Sequence, residues 1–197
     1  MTSAIESWMR RCVGGRRGCR YRENGGWFYN WMFERELPYM WRNNSRCAAG
    51  RFWDLLAEMM SVTDLGAFPL LVFHDGLGGW RGRPKCGRYL RFGQAAEAIA
   101  FLRRYARYGQ RYADCGRRND NYNLLSEGLP VAMTLSHEGE ILVFAKDAEL
   151  LRPYVRFFKL KHLAVHLWPQ PVCAGRIFEN TPLRETKKFG LILTSTR

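Results

Sequence analysis

The hydrophobic pattern predicts a mainly helical domain with a pair of strands in its C-terminal third. Residues 51–60 place apolar side chains at i, i+3, i+4, i+7 and i+8, which is the spacing of an amphipathic helix. Residues 92–112 pass from small residues into arginines and tyrosines without a proline, and this predicts a second helix. The runs VAMTLS and EILVFA flank HEG and indicate two strands around a turn, after which DAELLRPYVRFF returns to helical spacing.

The other stretches predict shorter elements and loops. A short helix is expected around Ile5–Arg11, followed by the glycine-diluted basic stretch GGRRGCRYR. The aromatic cluster WFYNWMF (27–33) opens a segment that ends at Pro38. The wholly apolar LGAFPLLVFH predicts a buried segment with a helix starting near Pro69. DGLGGWRGRPKCG and DCGRRNDN have loop composition, whereas HLAVHLW suits a helix or a strand.

Composition indicates one folded domain with acidic partners. The chain has 197 residues, of which 47% are hydrophobic and 14% aromatic, so it can form a substantial core and is not disordered. It contains 31 Lys and Arg against 18 Asp and Glu, a net charge of +13. That excess favours nucleic acid, an anionic membrane or an acidic protein as the partner.

A row of arginines offers the most direct basic surface. Arg103, Arg107 and Arg111 recur every four residues on one face of the predicted helix, with Tyr105 and Tyr108 available for stacking. These side chains would neutralise phosphates in a nucleic-acid-binding protein. The other interpretation is that they form the solvated face of a core helix, and the sequence leaves both open.

Cysteine usage and terminal composition bear on the cellular setting. The six cysteines form no C-x-x-C pair, and the N-terminal residues include no apolar signal region, so we expect reduced thiols in a protein that is not secreted. The longest uncharged apolar run, HLAVHLWPQPVCAG, is too short to span a bilayer, so membrane contact would be peripheral and no transmembrane helix is expected.

The sequence offers little to an enzyme or a metal site. His162 and His166 have a metal-like spacing if they lie on a helix, with Cys173 further on, but no fourth ligand is apparent and partly buried histidines are the alternative. No nucleophile elbow, phosphate loop or dinucleotide fingerprint occurs. We therefore expect a non-enzymatic protein without a metal or cofactor.

Four motifs in order resemble the adenovirus early-region-1B small T antigens, viral relatives of the B-cell-lymphoma-2 apoptosis regulators. They are WFYNWMF, the helical FWDLL (52–56), the apolar segment opening with Leu65-Gly66, and GQAAEAIAFL (93–102). The last is the most specific match, because its small residues, isoleucine and Ala-Phe-Leu ending are all in register. The resemblance covers about residues 25–110, and the strand-like HEGEILVFA region and the high charge depart from it.

The resemblance implies an all-α helical bundle around a buried central helix. We accordingly expect a bundle core at 27–130, a basic N-terminal segment at 1–26 whose glycine content predicts flexibility, and a C-terminal extension at 131–197 of uncertain structure packed on the same domain. The function would be inhibition of host-cell apoptosis through a hydrophobic groove that captures a helix of Bax- or Bak-like proteins, in the host cytoplasm and at membranes including the nuclear envelope. Gln94 stands where the family has an arginine. The implied groove residues are Leu55, Met59, Phe92, Gly93, Gln94, Ala96 and Phe101.

Overall fold

The computed structural model describes most of the chain between Ala4 and Trp168. The described ranges are 4–13, 22–23, 26–27, 33–34, 36–44, 49–75, 89–105, 121–136 and 139–168.

The described residues form a mixed α/β fold built on a seven-stranded antiparallel sheet, so the prediction of an all-α bundle is wrong. The strand order is β5-β4-β6-β7-β8-β3-β9, and β1 and β2 form a separate two-stranded pair. The strands are β1 (Arg22–Glu23), β2 (Gly26–Trp27), β3 (Tyr39–Asn43), β4 (Leu70–Asp75), β5 (Leu90–Phe92), β6 (Asn121–Ser126), β7 (Val131–Ser136), β8 (Glu140–Ala145) and β9 (His166–Trp168).

Helices cover both faces of the large sheet. The α-helices are α1 (Ala4–Val13), α2 (Ala49–Val62), α3 (Ala95–Tyr105) and α4 (Arg152–Leu160), and short 3-10 helices span Asp64–Ala67 and Ala148–Leu151. One sheet face packs against α2, α3 and α4 through a core that includes Leu56, Leu102 and Phe158. The opposite face packs against α1, whose Trp8 is fully buried. The result is a three-layer arrangement of helix, sheet and helix.

The predicted helix at 51–60 is confirmed, and the helical spacing predicted over 147–158 corresponds to a 3-10 helix at Ala148–Leu151 followed by α4. The helix predicted to be central lies elsewhere in the fold. α3 begins at Ala95 and buries Ala98, Ile99 and Leu102 against α2 and one face of the sheet. α3 therefore packs on one face of a sheet and does not form the centre of a helical bundle. Its alanines permit close packing in either setting, which is why the motif alone does not distinguish them.

The segment expected to start a helix near Pro69 forms β4 instead. Leu70–Asp75 pairs on one side with β5 and on the other with β6, so β4 lies inside the sheet. Leu71 and Phe73 face α1, while Leu70 and Val72 face the other helices. Because both faces are covered, β4 has no polar alternation, and a short apolar run of this kind does not reveal its period.

The strand pair predicted after Pro130 is confirmed. β7 and β8 pair antiparallel from Val131↔Ala145 to Ser136↔Glu140. Gly139 closes their turn with φ 85° and donates its N–H to Ser136 O at 3.0 Å, a conformation that a side chain would strain.

The strand register defines two ends of the sheet. At the first, Asp75 pairs with Asn121, and the Ser136–Glu140 and Asn43–Glu140 pairs lie level with them; we call this the Asn121 end. At the second, Leu70 pairs with Ser126, level with Val131↔Ala145 and Tyr39↔Phe144; we call this the Ser126 end.

Candidate functional site: charge and aromatic rings on the sheet

The net charge lies outside the residues that the structure describes. Those residues contain 13 Lys and Arg and 13 Asp and Glu, against 31 and 18 in the whole chain. The rest of the chain therefore has 18 basic and 5 acidic residues, which accounts for the full net charge of +13. The sheet and its helices are electrically balanced, and the excess belongs to particular connecting and terminal segments.

Several cations of the described residues are already paired with carboxylates. Arg103 lies 2.8 Å from Asp54, and Arg152 lies 2.6 Å from Glu149. Lys161 pairs with a glutamate of α2 in the same way. These pairs are solvent-exposed and contribute little to stability, but they lower the local charge available to a polyanion.

A further exposed pair closes the Ser126 end. Arg91 holds Glu127 through its Nε and Nη2 atoms at 2.8 to 3.1 Å. Arg11 donates to the Glu127 carbonyl at 3.4 Å, and Trp8 Nε1 donates to Leu129 O at 3.1 Å. The turn after β6 is thus tied to both β5 and α1.

The sequence segments that adjoin the two ends of the sheet differ in charge. Strand residues at the Asn121 end adjoin segments 45–48, 76–88, 106–120 and 137–138, which lie outside the described residues and have nine basic and three acidic residues in the sequence. At the Ser126 end, segments 63–69, 93–94, 127–130 and 146–151 have one basic and four acidic residues, and segments 28–38 and 169–197, which adjoin Tyr39 and Trp168, have six basic and four acidic residues. The two most basic segments are 76–88, which follows Asp75, and 106–120, which precedes Asn121. Asp75 and Asn121 pair in the sheet, so these two segments adjoin neighbouring residues.

The predicted arginine row falls partly on described residues. Arg103 lies in the last turn of α3 and pairs with Asp54, so it sits on an exposed face as expected. Arg107 and Arg111 lie outside the described residues.

The residues implied for a helix-binding groove come together only in part. The Phe92 and Phe101 rings lie 5.3 Å apart, and both, with Leu55, are half-buried against the same core. Met59 is fully buried and offers no surface to a partner. Gly93, Gln94 and Ala96 are exposed around the start of α3.

The two histidines considered for a metal site do not share a helix. His162 lies just after α4 with φ 54°, and His166 begins β9, so the helical spacing expected of them is absent. Cys173 lies outside the described residues. Among the residues with a described position, no group of three His, Cys, Asp or Glu side chains is placed to hold a metal.

An aromatic surface at the β3–β9 edge was not predicted. Tyr39 pairs with Trp168 and Trp41 with His166, so the four rings share one sheet face in two neighbouring rows. The Trp41 and His166 rings stack with centroids 4.4 Å apart, while the Trp168 side chain is 51% exposed. More than 120 residues of sequence separate the two strands, so only the register brings these rings together.

The polar rings of this surface are electrically neutral at neutral pH. Burial, reinforced by Arg42, lowers the pKa of His166 below its ordinary value of 6.5. Burial, with Glu34 and Glu140, raises the pKa of Tyr39 to about 12. The surface is therefore a set of uncharged flat rings, whereas the net positive charge of the protein belongs to segments outside the described residues.

No protein-family model, curated protein or solved structure matches this chain. Of the helices that the structure describes, none combines the length and apolar character needed to cross a membrane.

Proposed function

We propose that this protein is a non-enzymatic nucleic-acid-binding protein that contacts its ligand at the Asn121 end of the sheet. The observation that carries the proposal is the pairing of Asp75 with Asn121 in the sheet, because the sequence segments that adjoin these two residues, 76–88 and 106–120, have eight basic and two acidic residues. A field of this kind attracts and orients a polyanion.

The balance of the described residues supports this location. Because 13 basic side chains there meet 13 acidic ones, the sheet and helices supply little net attraction by themselves. The basic connections at the Asn121 end start from a rigid frame, since Asp75 and Asn121 lie in adjacent central strands. Cations gathered on one side bind phosphates more strongly than the same number spread evenly.

The test is the salt dependence of binding to a labelled 20-nucleotide oligomer, measured by fluorescence anisotropy between 50 and 200 mM salt. We expect affinity to fall steeply, because each phosphate contact releases counterions. A variant in which four cations of the 76–88 connection become glutamine should lower the slope of log K against log salt by about 3 for a single strand. These cations are Arg81, Arg83, Lys85 and Arg88.

A control variant removes the same charge elsewhere. Four exposed cations away from the Asn121 end become glutamine: Arg10, Lys146, Arg152 and Arg156. We expect this control to keep most of the salt slope. Equal losses of salt slope in the two variants would mean that binding depends on the overall charge and not on this end of the sheet. A lack of binding by the unaltered protein would refute the proposed function.

A second candidate is capture of an amphipathic helix from a pro-apoptotic Bax- or Bak-like protein. It is supported by the motif resemblance and by Leu55, Phe92 and Phe101, which are half-buried apolar side chains from three elements. Gly93 is exposed beside them, and a Cβ there would meet no atom within 4 Å. The bundle groove of the family is absent from the described residues, so the partner helix would rest on this smaller apolar patch.

Replacing Gly93 with glutamate tests this candidate. The new side chain has room, so folding should be kept, while its bulk and charge block approach and repel an acidic partner helix. Gly50→Glu is the matched control, because Gly50 is also exposed with no atom within 4 Å of its Cβ. Equal titration of a partner peptide into both variants and the unaltered protein would eliminate this candidate, as would a complex that dissociates in moderate salt.

A further inference from the structure

The β3–β9 aromatic surface has the chemistry of a base-stacking surface. It consists of Tyr39, Trp41, His166 and Trp168, which β3 and β9 place on one face in cross-strand pairs. Residues two apart on a strand lie roughly 7 Å apart, and directly paired side chains lie closer. The four rings therefore form a compact two-by-two array at the edge of the sheet.

Solvent reaches this array, so a ligand can too. Trp168 is 51% exposed, and Tyr39, Trp41 and His166 are each partly exposed. The Tyr39 ring packs against the Phe144 ring with centroids 5.2 Å apart, which holds Tyr39 on the sheet. The stacking of Trp41 on His166 holds those two rings in place in the same way. The rings are thus held by the sheet and available at the surface.

We infer that these four rings stack the bases of a single-stranded nucleic acid, an inference that rests on the proposed function and names its ligand. Flat uncharged rings on a sheet surface bind unpaired bases by their faces, and each such contact is sequence-tolerant. A duplex offers only base edges in its grooves, since its base faces already stack on one another. We therefore expect the protein to bind single strands more tightly than duplexes.

The array spans the edge of the sheet between its two ends. Trp41 is two residues before Asn43, which pairs with Glu140 at the Asn121 end, whereas Trp168 pairs with Tyr39, level with the Ser126 end. A strand bound along β3 would therefore run from the Asn121 end across the four rings. Phosphate attraction and base stacking would therefore act on one continuous ligand. An acidic protein partner would gain from the charge but would have no base faces for the rings to bind.

The experiment measures the affinity of the full chain for a labelled 15-nucleotide thymidine oligomer and for a duplex of equal length. Trp168→Ala should weaken single-strand binding about tenfold, because base stacking on one ring contributes that order of affinity. Duplex binding should stay within about twofold. Trp168→Phe should keep single-strand affinity within about threefold, because a ring remains. Circular dichroism controls for folding.

Leu160→Ala is the matched control, because Leu160 is an exposed apolar residue, 70% accessible, at the end of α4. We expect it to leave both affinities unchanged. Unchanged single-strand affinity in Trp168→Ala, with salt-dependent binding intact, would overturn the stacking surface and leave the proposed function standing. Equal losses for single strand and duplex would overturn the single-strand assignment. No binding of either oligomer by the unaltered protein would overturn both.

Discussion

Trp8 provides the sharpest test of how the sheet is covered. Its side chain is fully buried under α1, where its ring meets Phe33 edge to face at 5.8 Å. Its Nε1 donates to Leu129 O at 3.1 Å, which ties α1 to the turn between β6 and β7. If α1 covers this face as described, replacing Trp8 with alanine removes both the packing and the hydrogen bond.

The expected loss is large. Truncating a buried aromatic side chain to alanine costs about 3–5 kcal/mol, and losing the indole donor adds about 1 kcal/mol. A domain of this kind has a free energy of unfolding of about 5–15 kcal/mol, so Trp8→Ala removes a major fraction of it. Trp8→Phe keeps most of the ring and loses the hydrogen bond, so it should cost less.

Urea unfolding followed by far-ultraviolet circular dichroism measures these changes. With a slope of about 2 kcal/mol per molar urea, Trp8→Ala should lower the midpoint by roughly 2 M, and Trp8→Phe by less than about 1 M. Ser7→Ala, at an exposed neighbour on α1, is the control and should change little. A midpoint for Trp8→Ala within about 0.3 M of the unaltered protein would show that α1 does not cover this face.

Three further outcomes follow from single positions. Gly66→Ala should destabilise the protein by about 1–3 kcal/mol, because a Cβ atom at this position would clash with the Met60 carbonyl oxygen. Gly50→Ala is the control: its Cβ would meet no atom within 4 Å, so it should be neutral or stabilise the protein by up to about 1 kcal/mol. Equal urea midpoints for the two variants would contradict this prediction. Burial lowers the pKa of His166, so the unfolded chain takes up this proton at higher pH than the folded one, and stability should fall as pH drops below 6.5. His166→Gln should flatten that fall, and an identical pH profile would refute the assignment. Burial also raises the pKa of Cys12 to about 11, which lowers the fraction of reactive thiolate. At pH 8, iodoacetamide should therefore alkylate Cys12 at least about a hundredfold more slowly in native than in urea-unfolded protein, as measured by peptide mass spectrometry. Comparable rates in the two states would contradict the burial of Cys12.

The helices could be predicted because each has one apolar face. α2 buries Phe52, Leu56 and Met59 on one side and exposes Asp54 and Glu58, which is the pattern in the sequence. A helix on a sheet and a helix in a bundle need the same stripe, however. FWDLL and GQAAEAIAFL therefore resemble a helical family while belonging to helices that cover a sheet.

The strands could not be predicted as readily, because the sheet is covered on both faces. β4 is apolar on both sides from Leu70 to Phe73, and β6 is buried on both sides although its sequence is NYNLLS, so neither strand shows the alternation that marks a half-exposed strand. β6 also carries Asn123 in the core, where its Oδ1 accepts from Thr134 at 2.5 Å. The neighbouring strand satisfies the Oδ1 atom of Asn123 but not its buried Nδ2 atom, and neither fact can be predicted before that strand is placed.

The position of the candidate site could not be predicted from the sequence. The charge of +13 favours an acidic partner and leaves nucleic acid, an anionic membrane and an acidic protein open. The pairing of Asp75 with Asn121, which adjoin two basic sequence segments, and the pairing of Trp41 with His166 in the ring array both depend on strand register. Both pairings join segments far apart in the chain, which local patterns do not relate.

The most direct measurement is photo-cross-linking of a bound oligomer, with mass spectrometric identification of the attached peptides. Contact at the Asn121 end predicts cross-links in peptides from the connections 76–88 and 106–120, and from β3 and β9 where the rings lie. Cross-links concentrated instead in 63–69, 127–130 and 146–151, at the Ser126 end, would contradict the account.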